Sequence, residues 1–161
     1  MSNIIIRPIS ETDNIILATV IRTVFLEYDA PKEGTVYSDP TTDNLFELFR
    51  TTNSVLYVAE VDNEILGCCG IFPTEGLPQG CTEIVKFYLS NKGRGKGFGK
   101  LLYKACEEKA IALNYNQLYI ESIPKFNTAV GLYQKLGFKA LNAPLGNSGH
   151  FGCNIWLHKQ L

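Results

Sequence analysis

Between Gly93 and Leu102 the chain reads GRGKGFGKLL, which sets Gly95, Gly97 and Gly99 among Arg94, Lys96 and Lys100. The stretch follows a strand-like run and opens a helical one. The first amides of a helix lack partners and sit at the positive end of its dipole, so they attract anions. Glycines there let the main chain approach a phosphate closely or turn left-handed. Lys96 and Lys100 add charge, and Arg94 can offer paired donors. The chemistry that suits these groups is the holding of a diphosphate. Taken alone, the same residues also fit a solvated surface loop.

Spacing narrows the ligand. A nucleoside-triphosphate loop needs a glycine where the chain has Arg94 and a Ser or Thr where it has Leu101. The dinucleotide pattern Gly-x-Gly-x-x-Gly needs a glycine at Lys100 or at Leu102. Neither motif is present. Nucleic acid is disfavoured as a partner, because the stretch lacks interleaved aromatics and the net charge is −1.

The elements that must position this turn belong to a chain of 161 residues, long enough to bury a core as one domain spanning 1–161. Hydrophobic residues are 45% and charged residues 19%, values of a soluble globular protein. The five cysteines form no Cys-x-x-Cys pair and only His150 and His158 accompany them, so no metal site is expected and the thiols read as reduced and buried. The apolar run at the start is too short for a signal peptide and no segment approaches a membrane span, so a cytoplasmic location is expected.

Strand-like runs cover 4–9, 54–61, 65–72, 81–90, 117–122, 138–141 and 150–159. Ser10 and Asp13 fit a capping box ahead of a helix marked by Leu17, Val20, Ile21, Val24, Phe25 and Tyr28. A short second helix carries Leu45, Phe46, Leu48 and Phe49. A third runs from Phe98 to near Asn114, and a fourth over 127–136 is closed by Gly137. Asp62 to Glu64 suit a hairpin turn. The order predicts a mixed α/β sheet with helices packed on it.

Arg94-Gly95-Lys96-Gly97-Phe98-Gly99 fits Arg-x-x-Gly-x-Gly, and with it the sequence resembles the GNAT superfamily of acyl-CoA-dependent N-acetyltransferases. Asn127, Ala129, Tyr133, Gly137 and Phe138 match the family's second coenzyme-binding block, and EIVKFYL, from Glu83 to Leu89, precedes the glycine turn at the family's distance. The resemblance covers nearly the whole chain. It implies a mostly antiparallel sheet of about seven strands flanked by four helices, with the fourth and fifth strands splayed. It also implies acetyl-CoA as acyl donor, gripped at its pyrophosphate by residues 94–100, including Phe98. The main chain around Phe87 and Leu89 would pair with the pantetheine arm, and Asn127 would bond near it or merely cap its helix.

Transfer to an amine poses three problems: deprotonating the amine, stabilising an oxyanion and protonating the departing thiolate. The resemblance makes Tyr133 the acid at the sulfur, where helical position alone reads as a core tyrosine. Glu83 is the candidate base, either a carboxylate raised in pKa by apolar neighbours or a solvent-facing strand residue, with ordered water as another base. Cys81 and Cys153 are weak candidates for a covalent acyl-enzyme. His150, in the last hairpin loop, fits either the lining of the acceptor pocket or, more readily, a surface loop.

Between the first two helices lie Glu27, Asp29, Glu33, Asp39 and Asp43 with Tyr28 and Tyr37, which suit a cationic amine or simply a solvated loop. The acceptor therefore stays open between small molecule and peptide or protein, as does the choice of monomer or homodimer. A non-catalytic acyl-CoA sensor of the same fold is the competing expectation.

Overall fold

The computed structural model describes residues 3–161. Along the chain run β1 (Ile4–Pro8), α1 (Asn14–Glu27), α2 (Leu45–Leu48), β2 (Val55–Val61), β3 (Glu64–Phe72) and β4 (Cys81–Leu89). They are followed by α3 (Phe98–Ala112), β5 (Gln117–Ser122), α4 (Asn127–Lys135), β6 (Lys139–Leu141) and β7 (Ile155–Gln160). The strands form one sheet in the order β1-β2-β3-β4-β5-β7-β6. Every neighbouring pair is antiparallel except β4 and β5. This is the mixed α/β sheet that the element order predicts, and the mostly antiparallel one that the family resemblance implies.

Local chemistry explains the joins. Asp62 and Asn63 take φ of 50° and 67°, the left-handed pair that closes a tight hairpin between β2 and β3. Ser10 N–H donates to Asp13 Oδ2 at 2.8 Å, and Arg7 clamps the same carboxylate, so the chain enters α1 through a short 3-10 turn. Leu17, Ile21 and Phe25 of α1 then pack on Leu56, Val58 and Cys68. On the opposite face, Leu102, Cys106 and Ala110 of α3 pack with Tyr133 of α4 on Cys69, Ile71, Ile84 and Leu118. The adjacent Cys68 and Cys69 serve opposite cores because successive strand residues alternate faces. Among the described residues no helix is long and apolar enough to cross a membrane.

The structure corrects two boundaries. Residues 150–154 are not strand: Cys153 N–H turns back to His150 O, and Gly152 N–H donates to Gly34 O at 2.8 Å. The loop before β7 is thereby tied to the region between α1 and α2. The second helix is a single turn, since Phe49 already leaves the helical path.

Two irregularities in β4 shape the site. Its parallel pairing with β5 covers only Cys81–Glu83 against Gln117–Tyr119, although β4 runs on to Leu89 and β5 to Ser122. Beyond Glu83 the strands part. The second irregularity is a bulge against β3, where Cys68 faces Tyr88 but Gly70 faces Val85. Lys86 sits in it with φ of 53°, rare for a residue with a side chain.

Candidate active site

The gap between β4 and β5 opens into a cavity of about 690 Å³. Of the residues singled out from the sequence, Glu83, Phe87, Leu89, Arg94, Gly95, Gly97, Phe98, Gly99, Lys100, Asn127 and Tyr133 all line it. Lys96 does not; it is exposed on the turn.

At one end lies the glycine turn. Gly95 and Gly97 take φ of 74° and 83°, and a Cβ built at either would meet nothing within 4 Å. These glycines therefore serve no internal packing; they hold a left-handed main chain open to the cavity. Gly97 is the N-cap of α3, so the unpaired amides of that helix start beside the same space. The residues present fit a diphosphate.

Arg94 also makes contacts within the protein. Its Nη1 lies 2.7 Å from Glu27 Oε2, its Nε donates to Leu89 O at 3.0 Å, and its guanidinium stacks 5.1 Å from the Tyr28 ring centroid. It ties the turn to α1. Its Nη2 is buried, with neither of its two N–H groups paired among the described residues.

Main-chain groups line the next stretch. Ser90 N–H donates to Leu66 O at 2.8 Å, and Tyr88 faces Cys68 across the ladder. Alternation then turns the amides and carbonyls of Phe87 and Leu89 toward the gap. Across it stands Tyr133, whose ring packs 5.9 Å from Phe87 and 6.1 Å from Phe138. No hydrogen bond to its hydroxyl is present among the described residues, and burial pushes its pKa up. Asn127 is the first residue of α4 and makes no capping bond.

Glu83 marks the fork of the two strands and is 3% exposed, so it does not face solvent. Burial pushes its carboxyl up to about 8, against the 2.6 Å hydrogen bond donated by Thr74 Oγ1, with the nearby Glu121 adding to the rise. Glu121 in turn accepts from Tyr119 at 2.6 Å and from Ser148 Oγ.

The sequence reading missed what surrounds Glu83. His150, more readily expected on the surface, lies in the cavity wall with its Nε2 2.7 Å from Asp39 Oδ2. The His150 hydrogen bond, with the charge of Lys86, holds the Asp39 carboxyl well below its usual range. An ionised carboxylate only accepts, so the proton of that bond sits on His150 Nε2. Of the acidic residues singled out around the α1–α2 connection, Asp39 is the one that joins this group; Asp43 pairs outward with Arg22, and Glu27, the last residue of α1, with Arg94. Lys86, 5% exposed, completes the group. It could have been noticed as the second charged residue of an otherwise apolar strand, but the bulge that aims it has no sequence signal. Burial raises the thiols of Cys81 to about 11 and Cys153 to about 12, which disfavours the thiolate a covalent intermediate needs.

The fold, a sheet splayed around a cavity that runs from a glycine turn to a buried carboxylate, is that of acyl-CoA-dependent acetyltransferases. The chain belongs to the acetyltransferase (GNAT) family, which is matched over residues 22–138. It is 30% identical over 158 residues to the uncharacterized N-acetyltransferase YjgM of Escherichia coli (strain K12), covering 98% of this chain and 95% of that one. Its fold is similar to that of a GNAT-family acetyltransferase from Staphylococcus aureus Mu50, with a TM-score of 0.86, 17% identity and 99% of both chains covered. It is also similar to the Thermoplasma acidophilum PaiA N-acetyltransferase solved in complex with coenzyme A, with a TM-score of 0.78, 18% identity and 99% of both chains covered.

Proposed function

We propose that this chain moves an acetyl group from acetyl-CoA to a primary amine by direct attack within the one cavity. The observation that carries the reading is the continuity of that cavity, from left-handed glycines open to space at one end to Glu83 buried at the other. Acetyl-CoA, when bound, supplies a thioester carbonyl as electrophile. The amides from Gly95 to Gly99, with Lys100, hold the diphosphate, and the gap-facing main chain of Phe87 and Leu89 orients the pantetheine.

Glu83 accepts the proton that the amine must lose. An alkylammonium of pKa about 10.4 is about 0.1% neutral or less at pH 7, so a neighbouring base is worth having. A carboxyl at about 8 is a far stronger base once ionised than one at an ordinary value. Tyr133 holds the proton that the departing sulfur takes. Its raised pKa keeps the hydroxyl protonated at every working pH, as a donor requires.

Free coenzyme A release, measured with acetyl-CoA and a panel of amines, tests the assignment. Tyr133→Phe is expected to lower release by about 100-fold or more while calorimetry shows acetyl-CoA still bound. Binding of acetyl-CoA with no release to any amine would replace this reading with that of a sensor.

A further inference from the structure

Lys86 has no part in the reaction proposed above. Its side chain is 3% exposed, and the left-handed bulge delivers it to the cavity wall beside Asp39 and His150. Yet its ammonium makes no hydrogen bond among the described residues. Its one close partner is Asp39 Oδ2 at 3.7 Å, well beyond the 2.7–2.9 Å of a charge-assisted hydrogen bond. Asp39 is already satisfied elsewhere: Oδ1 accepts from Thr41 N–H at 2.9 Å and Thr41 Oγ1 at 2.7 Å, and Oδ2 accepts from His150. An ammonium in the cavity wall, whose one close carboxylate is long and already satisfied by better donors, can take up a further acceptor from a ligand.

We infer that Lys86 receives a carboxylate on the acceptor, so that the acceptor is a free amino acid whose amine is presented to Glu83. Glu83 and Lys86 stand three residues apart on one strand and within electrostatic reach of one another. A small molecule with its amine at the first therefore has the second close by. A diamine would instead bring a second cation toward Lys86, which repels it, and a peptide-linked lysine side chain would bring no carboxylate to it. Phe25, Tyr28 and Phe126 line the same cavity, and their packed rings offer an apolar wall to the amino-acid side chain. Burial lowers the Lys86 pKa while Asp39 and Glu83 oppose the drop, and an arriving carboxylate opposes it further.

This inference rests on the amine-acetylating reading, and its test separates the two. With acetyl-CoA saturating, kcat/KM is compared for L-phenylalanine and L-leucine against L-phenylalaninamide and L-leucinamide. Amidation makes the amine less basic and so favours the amide, which means a preference for the acid cannot come from amine ionisation. The wild-type protein is expected to prefer the acid by about 10- to 100-fold, the worth of a hydrogen bond to a charged group. Lys86→Met, its fold checked by thermal melting, should collapse that ratio toward one. Equal or better use of the amides by wild type overturns the inference without any variant, as does an acid preference that survives Lys86→Met. Release to carboxylate-free amines alone sinks only the amino-acid acceptor, whereas release to no amine at all sinks both readings.

Discussion

The proposed function gives the cavity a donor end and an acceptor end; at the first, the groups that matter are main-chain amides of one continuous stretch, Gly93 to Gly99, set by two left-handed glycines. At the acceptor end they are side chains from separated segments: Asp39 after α1, Glu83 and Lys86 on β4, Glu121 on β5 and His150 before β7. The first end needs little more than local conformation and an empty space. The second needs the whole sheet, a bulge and a loop that reaches across to Gly34. An amide does not titrate and carries its dipole unconditionally. A buried carboxylate or ammonium answers to every charge around it. The donor end is thus suited to a constant ligand, and the acceptor end to a protonation-dependent task.

Glu83→Gln strikes the acceptor end alone and carries the largest expected effect. Amine acetylation should fall by about 100-fold or more, with acetyl-CoA affinity retained. Wild-type kcat/KM should rise with pH up to about 8 as Glu83 ionises, and the variant should lose that rise. Stability should move the other way. The unfolded carboxyl releases its proton near the ordinary value of 4.5, whereas the folded one keeps it until about 8. Between those values the unfolded state binds fewer protons, so wild-type stability declines as pH climbs, and above 8 it declines no further on this account. The glutamine does not titrate, so the variant should be the more stable protein at pH 8 by ~2–4 kcal/mol, with the difference shrinking toward pH 5. Chemical denaturation at several pH values reads this, and a wild type equally stable at pH 5 and pH 8 would refute the buried carboxyl.

Gly97→Val strikes the donor end alone. The added side chain meets no protein atom, so its cost to the fold is that of a β-branched residue at φ 83°, about 1–2 kcal/mol. It projects into the open space beside the start of α3. Coenzyme A affinity by calorimetry should drop about 10-fold or more while the folded protein persists. Unchanged affinity would mean that the diphosphate is held elsewhere.

The same contrast governs how much could be read from the sequence. The glycine turn was legible because spacing and residue type are its mechanism. The order of strands and helices was legible because hydrophobic periodicity reports which face is buried. Glu83 was visible as a strand carboxylate, but its depth was not, because that depends on where β5 stops pairing. Lys86 falls out of register: simple alternation sets it on the face opposite Glu83, and the bulge alone turns it toward Asp39. His150 and Asp39 are separated by 111 residues, and nothing local says that they meet. Arg94 shows the reverse case, a residue whose type suits a phosphate and which lines the cavity, but whose further contacts with Glu27 at the end of α1 and Tyr28 just after it have no local signal.

A second, half-buried glutamate tests whether burial alone explains Glu83. Glu107, on α3 across the sheet, accepts from Lys159 Nζ at 2.8 Å and from the Tyr103 hydroxyl, and Lys159 also reaches Tyr103 at 3.0 Å. Burial pushes this carboxyl up too, but the Lys159 and Tyr103 hydrogen bonds outweigh it and the net shift is downward. The sign of the linkage reverses. The ion pair contributes stability above the unfolded value, and that contribution is lost as pH falls through the lowered one. Glu107→Gln should therefore destabilise by about 1 kcal/mol at pH 7, the worth of a partly exposed pair, and the difference should begin to shrink as pH falls below the ordinary 4.5. Lying outside the cavity walls, it should leave acetylation rates unchanged. The two glutamines then move stability in opposite directions as pH rises, and only the one at the fork touches turnover. If both responded to pH alike, partners would count for nothing beside burial, and Glu83 would lose its claim to a distinct environment.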